Sequence, residues 1–322
     1  MADSRTQQPS SYALQYNNGT PIRLKDFSGL LTSSQILVND TENFIKRNRI
    51  LSLEYNEVVL TLPFPLAEPA KKLFEGAMNG TLTSVFTTIS RLDQQSNQIQ
   101  SYELGNCEIL EIAFPSLNAS SKDAGFASIR LKPEHIDLTL GNNSRVTLPT
   151  NTGKIKAFVS SNYEFEIDTI SNSNKISKVS PVTIIPHLNS NRDLKNNLDF
   201  IEFKSIEITL SESEINNADW QSWLNDFVKN QQKEGRNGVL KYLTADFKTS
   251  LLEISVFNLF IISTLFHNDS QLAKITIELM FDFATITGKT TTPEGNAIRS
   301  NPEIKLSGLE IIPPDLEITT KK

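Results

Sequence analysis

The 322-residue chain holds one cysteine, three histidines and 13 glycines, and each scarcity argues against a class of chemistry. A single thiol excludes an intramolecular disulfide. Cys107 sits in an apolar alternating run, where a free cysteine behaves as a small core hydrophobe rather than a nucleophile. His135, His187 and His267 fall in separate contexts, without a second ligand at metal spacing and without an obvious carboxylate or serine partner, so no metal site is expected. The glycines sit in turns and make neither a phosphate-cradling loop nor a Gly-x-Ser-x-Gly elbow. No Cys-x-x-Cys occurs either, so no cofactor and no enzymatic activity are expected. Glu212 and Glu214 stand close together, but they precede a helical stretch whose macrodipole favours negative charge, which outweighs a catalytic dyad.

An excess of cations is lacking too. With 31 Lys and Arg against 37 Asp and Glu the net charge is −6, which offers no footprint for specific nucleic-acid recognition and no basic face for anionic lipid. The longest apolar run, Val256 to Phe266, is broken by Asn258, Ser263 and Thr264. It is far shorter than the ~20 residues of a membrane span, so no membrane insertion is expected and the run reads as a buried strand. Met1 to Gln8 lacks the basic and apolar regions of a secretory signal, so the expected location is the cytoplasm.

What the chain does hold is repetition. At 322 residues it exceeds the size at which one core stops growing, so two domains are the default. Asn79-Gly80-Thr81-Leu82 runs into Val85 to Ile89, then Cys107 to Phe114, then Ala127 to Leu131, which reads as a turn and hairpin, a buried strand and a closing strand. Arg236-Asn237-Gly238-Val239-Leu240, Ile254 to Ile262 and Ile275 to Leu279 repeat that order. The Asn-Gly pairs at 79 and 237 lie 158 residues apart, and the closing strands at Ile129 and Ile277 only 148. Loops absorb insertions and strands do not, which places the extra residues of the first copy in the hairpin tip Arg91 to Gln98.

Taken in order, Tyr12 to Tyr16 alternates like a strand that Asn17-Asn18-Gly19 turns, and Phe27 with Leu30 to Val38 suggests a strand pair. Asn39 to Arg49 reads as a polar loop. Glu57 to Leu62 is a strand that Pro63 and Pro65 end. Leu66, Ala70, Leu73, Phe74 and Ala77 recur at helical spacing over 66–78. Trp220, Trp223, Leu224, Phe227 and Val228 do the same over 217–229, with Asn216 or Asn217 as N-cap. Turn formers dominate Thr139 to Lys156, the candidate linker. Tyr163 to Ile167 opens the second copy, and His187 to Asn197 is a polar loop in the place that 39–49 holds in the first.

The order helix, turn, hairpin, then Phe114-Pro115-Ser116-Leu117-Asn118-Ala119-Ser120-Ser121 into an alternating strand resembles the tail-tube proteins of contractile phage tails and related bacterial injection systems. Asn18-Gly19-Thr20 to Asp26-Phe27-Ser28-Gly29-Leu30 resembles the start of that family. The second copy keeps the strand rhythm and Ile277-Glu278-Leu279 but lacks the Pro-x-Leu corner. The expected fold is mainly β with α: two tandem antiparallel β-barrel or sandwich domains, each with one flanking helix. Their bounds are 10–140 and 157–288, joined by a linker at 141–156 and followed by an extended tail at 289–322. The resemblance implies a structural subunit of the inner tube or of the hub joining tube to spike. Single-domain members form rings of six by extending sheets between neighbours, so a fused pair would close a pseudo-hexameric ring from three chains. Expected partners are further copies, as a homotrimer or other ring, and tube, spike or baseplate proteins. The chain would stay cytoplasmic until assembled into a phage tail or injection particle. Candidate inter-ring or inter-subunit contacts are Phe44, Ile45 and Arg47, then Gln94, Gln95 and Asn97, and in the second copy Leu188, Arg192 and Leu194. The residues themselves leave open a free-standing β-sandwich binding module.

Overall fold

The computed structural model describes residues 11–30, 32–42, 45–82, 84–141, 143–148, 157–188, 198–230, 234–269 and 272–287. Antiparallel strands dominate. The first half runs β1 (Ser11–Tyr16), β2 (Ile22–Leu24), β3 (Asp26–Ser28), β4 (Thr32–Glu42), β5 (Ile45–Tyr55), β6 (Val58–Pro63), α1 (Glu68–Met78), β7 (Ser84–Leu92), β8 (Gln98–Ala113), β9 (Leu117–Asn118), β10 (Phe126–Lys132) and β11 (His135–Leu140). The second half runs β12 (Tyr163–Ile167), β13 (Lys178–Val179), β14 (Thr183–Leu188), β15 (Leu198–Phe203), β16 (Ile206–Ser211), α2 (Glu212–Ile215), α3 (Ala218–Asn230), β17 (Arg236–Leu243), β18 (Ser250–Asp269), β19 (Leu272–Met280) and β20 (Phe283–Thr287).

Local sequence explains these elements. In β6, Val58, Leu60 and Leu62 turn inward at the period of two, and in β16 Ile206, Ile208 and Leu210 do the same. Helix α1 carries Pro69 in its first turn, where a missing N–H costs nothing, and buries Ala70, Leu73, Phe74, Ala77 and Met78 along one stripe. In α3, Trp220 and Trp223 are buried and Leu224 and Phe227 pack behind them. Val228, read as part of that stripe, is 75% exposed, because it lies round the helix from the tryptophan face. Asn217 caps α3, its Oδ1 accepting from the Asp219 amide at 2.8 Å.

Asp219 then ties the helix to the loop before β13: its Oδ2 accepts from the Ser171 amide at 2.9 Å and the Ser171 hydroxyl at 2.6 Å. Those hydrogen bonds, with Arg236 nearby, hold its carboxyl below the usual range. A depressed folded value means that the stabilisation is complete above the ordinary carboxylate range and disappears as pH falls through the depressed value. Asp219→Asn should therefore lower the denaturation midpoint at about pH 7 and leave it almost unchanged at about pH 2. Equal losses at both would remove the charge from the account.

The two sheets share strands across the halves. A ten-stranded sheet runs β2-β1-β7-β8-β10-β6-β3, with β11 and β14 also on β8 and β15 on β14. An eight-stranded sheet runs β12-β17-β18-β19-β16-β13-β9, with β20 on β18, and β4 pairs with β5 in a separate ribbon. One continuous core joins them. Phe64, Phe158 and Tyr242 pack with ring centroids 4.9 to 5.5 Å apart, and Phe114 links Phe74 at 5.1 Å to Tyr242 at 6.4 Å. All described residues fall in one compact unit, Met1–Lys289.

Cys107 is buried within this core. Its Sγ lies 3.4 Å from the Leu104 carbonyl, and burial pushes the thiol up to about 12. A thiol reagent should leave the native chain unmodified until denaturant is added; stoichiometric labelling of folded protein would contradict the geometry.

Several sequence expectations are corrected. Asn79-Gly80 ends α1 rather than turning a hairpin: Gly80 takes φ +67°, and a side chain there would collide with Leu198. Asn237-Gly238 lies inside β17, where the ladder slips. The hairpin tips are 93–97 and 244–249, so the first copy's extra residues are not there. The halves differ in length instead between Ala113 and Phe126, the ends of β8 and β10, against Asp269 and Leu272, the ends of β18 and β19. Phe27 and Leu30 to Val38 give no strand pair, since β3 pairs with β6 and β4 with β5. Of the supposed loop at 39–49, residues 39–42 and 45–49 belong to that β4–β5 ribbon, because a backbone ladder does not require apolar side chains. Val256 to Phe266 is buried only as far as Ile261; Leu265 and Phe266 are exposed. The first part of the linker docks on the β7–β8 tip, with the Gln98 amide donating to Ser144 O and the Val146 amide to Ser96 O. Residues 1–10, 149–156, 189–197 and 288–322 lie outside the described set.

Candidate assembly edges

The seam between the halves is built on β8. Strand β7 covers one side of β8 only as far as Glu108, opposite Ser84, so the last residues of β8 would present a bare edge. Strand β14 fills it, pairing Thr183 with Ala113 and Ile184 with Ile112, while the Phe114 amide donates to Val182 O. The corner after Phe114 then crosses to the other sheet, where β9 pairs Leu117 with Val179 and Asn118 with Lys178 of β13. The segment that bears the family resemblance is thus the seam itself. Charge reinforces it. Glu111 Oε2 accepts from Arg130 at 2.8 Å and from Lys204 of the second half at 2.7 Å, and Arg130 Nε lies 3.7 Å from Glu57. These half-exposed pairs add about 0.2 to 1 kcal/mol each.

The ladders of the two halves correspond residue for residue. Leu14 against Ile89 answers to Phe165 against Leu240, Leu60 against Ile129 to Ile208 against Ile277, and Phe27 against Leu60 to Val179 against Ile208. His135 against Gly105 answers likewise to Phe283 against Phe257. Irregularities coincide as well. The β7–β8 ladder slips between Val85 and Thr87 and between Arg91 and Leu92, and β17–β18 slips between Arg236 and Gly238 and between Tyr242 and Leu243. One extra residue bulges from each long strand against its neighbour, Leu110 in β8 and Ile262 in β18. The β4–β5 ribbon begins with Thr32 against Tyr55, the counterpart of Ile184 against Phe203 in β14–β15.

Two places break the correspondence. At the β18 positions matching Ile112, Ala113 and Phe114 stand Thr264, Leu265 and Phe266, and among the described residues no strand lies on that side of β18 after Leu259. Phe114 is 1% exposed and Phe266 69%. The ribbon β4–β5, counterpart of the hairpin that fills the seam, pairs only with itself among the described residues. The seam charges also change character. Arg130, Glu57 and Glu111 answer to Glu278, Ser205 and Ser263, and both serine hydroxyls donate to Glu278, at 2.6 and 2.9 Å. Those two bonds depress the Glu278 pKa.

The sequence-predicted contacts scatter. Gln94 and Gln95 are exposed at the β7–β8 tip, but Asn97 is held internally, its amide donating to Asp93 Oδ1 at 2.7 Å and its Nδ2 to Oδ2 at 2.9 Å. Ile45 and Arg47 lie in β5 opposite Glu42 and Asn39. Leu188 ends β14 and lines a hollow with Ser84, Glu108 and Lys132. Phe44, Arg192 and Leu194 lie outside the described residues. His187 does have a carboxylate partner, Glu202 at 2.7 Å, and stacks on Phe200; the partner comes across the hairpin and is invisible to local spacing. Leu265, Phe266 and Glu111 were not among the expected residues. Aligning Phe114-Pro115 with Phe266-His267 is the signal that finds them.

No family model matches the chain, and no curated protein matches it. Among the solved structures similar to it are three that cover under half of it. A chain of the anti-feeding prophage baseplate is 16% identical, over 43% of this chain and 97% of its own, with a TM-score of 0.36. A chain of the tube-terminating cap of the same prophage is 13% identical, over 44% and 99%, with a TM-score of 0.36. A chain of the extended sheath-tube complex of an extracellular contractile injection system is 14% identical, over 42% and 94%, also with a TM-score of 0.36.

Proposed function

We propose that the chain is a structural subunit of a contractile phage tail-like injection system, a tandem duplication of one tube-type domain whose copies occupy successive places in a pseudo-hexameric ring of three chains. Its place is the inner tube or the hub where tube meets spike. The observation that supports this reading is the one-to-one match of strand ladders and bulges between the halves, together with the hairpin that the second half lends to the first. Two copies already joined through an extended sheet are an arc of a larger closed array, and heterologous contacts close into rings when the rotation permits. The resemblance of residues 18–30 and 114–121 to tail-tube proteins supplies the kind of ring. Light scattering and symmetry analysis of particles by electron microscopy test it. Three chains per ring are expected, and a chain that stays single at high concentration and enters no ring would refute the reading.

One observation favours the free-standing binding module instead. A cleft of about 670 Å³ is lined by Ile22, Arg23, Leu62, Pro65, Arg145 and Leu148, a volume suited to a small ligand. That module would run as a monomer.

A further inference from the structure

We infer that the open edge of β18 receives the β4–β5 ribbon of a second copy of this chain, with Thr32 of that copy set against Thr264. The inference rests on the duplication reading above and names the surfaces through which copies meet. Its template is internal. The same edge on β8 is already filled by β14, with Ile184 against Ile112, and Thr32 and Thr264 are the counterparts of those two residues. Among the described residues, each chain therefore has one filled seam, one edge of β18 without a strand, and one ribbon that pairs only with itself. Leu265 is 58% exposed and Phe266 69%, at positions whose counterparts are the half-buried Ala113 and the buried Phe114. An exposed apolar pair beside unpaired backbone is a site for strand addition. The donor has no third strand among the described residues, and a two-stranded ribbon alone is marginal in water.

The inferred junction lacks the ion pair that crosses the internal seam. Where Lys204 reaches Glu111 within the chain, the counterparts between copies are Asn56 and Ser263. Contact between copies then rests on backbone hydrogen bonds and on burial of Leu265 and Phe266, neither of which salt screens. Assembly should persist at about 1 M salt, where the Debye length shrinks to about 3 Å.

Two experiments on the full chain test the pairing. The double variant Thr32→Cys with Thr264→Cys should give, on oxidation, a ladder of disulfide-linked multimers, while each single variant gives none because Cys107 is buried. Leu265→Asp with Phe266→Asp should reduce the particle mass to that of one chain, with the circular dichroism of the wild-type fold retained. Rings that persist in the aspartate variant, with no linked ladder in the cysteine pair, would overturn this pairing and leave the ring reading standing. A wild-type chain that stays single would overturn both. A single chain whose amides at 262–266 resist hydrogen exchange would assign the edge to the chain's own residues 290–322 and overturn the pairing as well.

Discussion

Phe114→Ala is expected to lower the unfolding free energy by about 3 to 5 kcal/mol. Phe266→Ala in the dissociated chain should change it by no more than about 0.5 kcal/mol. Phe114 directly follows β8 and Phe266 holds the matching place in β18, so the side chain is the same at both. What differs is cover. Phe114 is packed between Phe74 of α1 and Tyr242 of β17, under the hairpin lent by the second half, and alanine would leave a cavity at the seam. Phe266 has water where Phe114 has β14, so little is lost until a partner arrives. Urea midpoints at a concentration where the chain is single measure both. Equal costs would mean that the correspondence of the two strands is wrong.

Trp220→Ala should cost a further large amount, about 3 to 5 kcal/mol. The ring is fully buried, stacks on Trp223 with centroids 5.8 Å apart, and holds α3 on β18, while Arg236 caps Trp223 from 4.8 Å. Its Nε1 has no hydrogen-bond partner among the described residues, so Trp220→Phe, which removes that N–H, should recover much of the loss. The informative readout is where the loss is felt. Because the core runs without a break from Leu14 to Ala284, amides in β7 and β8 should lose exchange protection in step with those of β17 and β18. If the first half kept its protection, the halves would be thermodynamically separate despite the shared sheets.

The helices were legible in the sequence because their stripes are local: Ala70, Leu73, Phe74 and Ala77 on one, Trp220, Trp223, Leu224 and Phe227 on the other. Strands β6, β10 and β19 were legible by alternation. Ile129 and Ile277 do hold matching ladder positions, against Leu60 and Ile208. The Asn-Gly pairs misled, since that dipeptide suits a helix end at 79–80 and a strand irregularity at 237–238 equally well, and only distant contacts decide between them. The seam was illegible for a deeper reason. An unpaired strand edge is a property of backbone N–H and C=O groups, which every residue type supplies alike. Asn97, one of the candidate contacts, is held within the chain by Asp93. The exposed Phe266 marks the edge only once it is set beside the buried Phe114.

The exchange of Arg130 for Glu278 has a consequence for reading such a ring from outside. A ring made from a single-domain gene product shows each side chain at every place, so a mutation at one codon alters all six together. A fused pair separates them into two independently inherited sets. In the proposed ring the cation at Arg130, flanked by Glu57 and Glu111, would alternate with the anion at Glu278, flanked by Ser205 and Ser263. The backbone would then offer a sixfold partner the same shape six times over, while a threefold partner could tell odd places from even by the sign of charge.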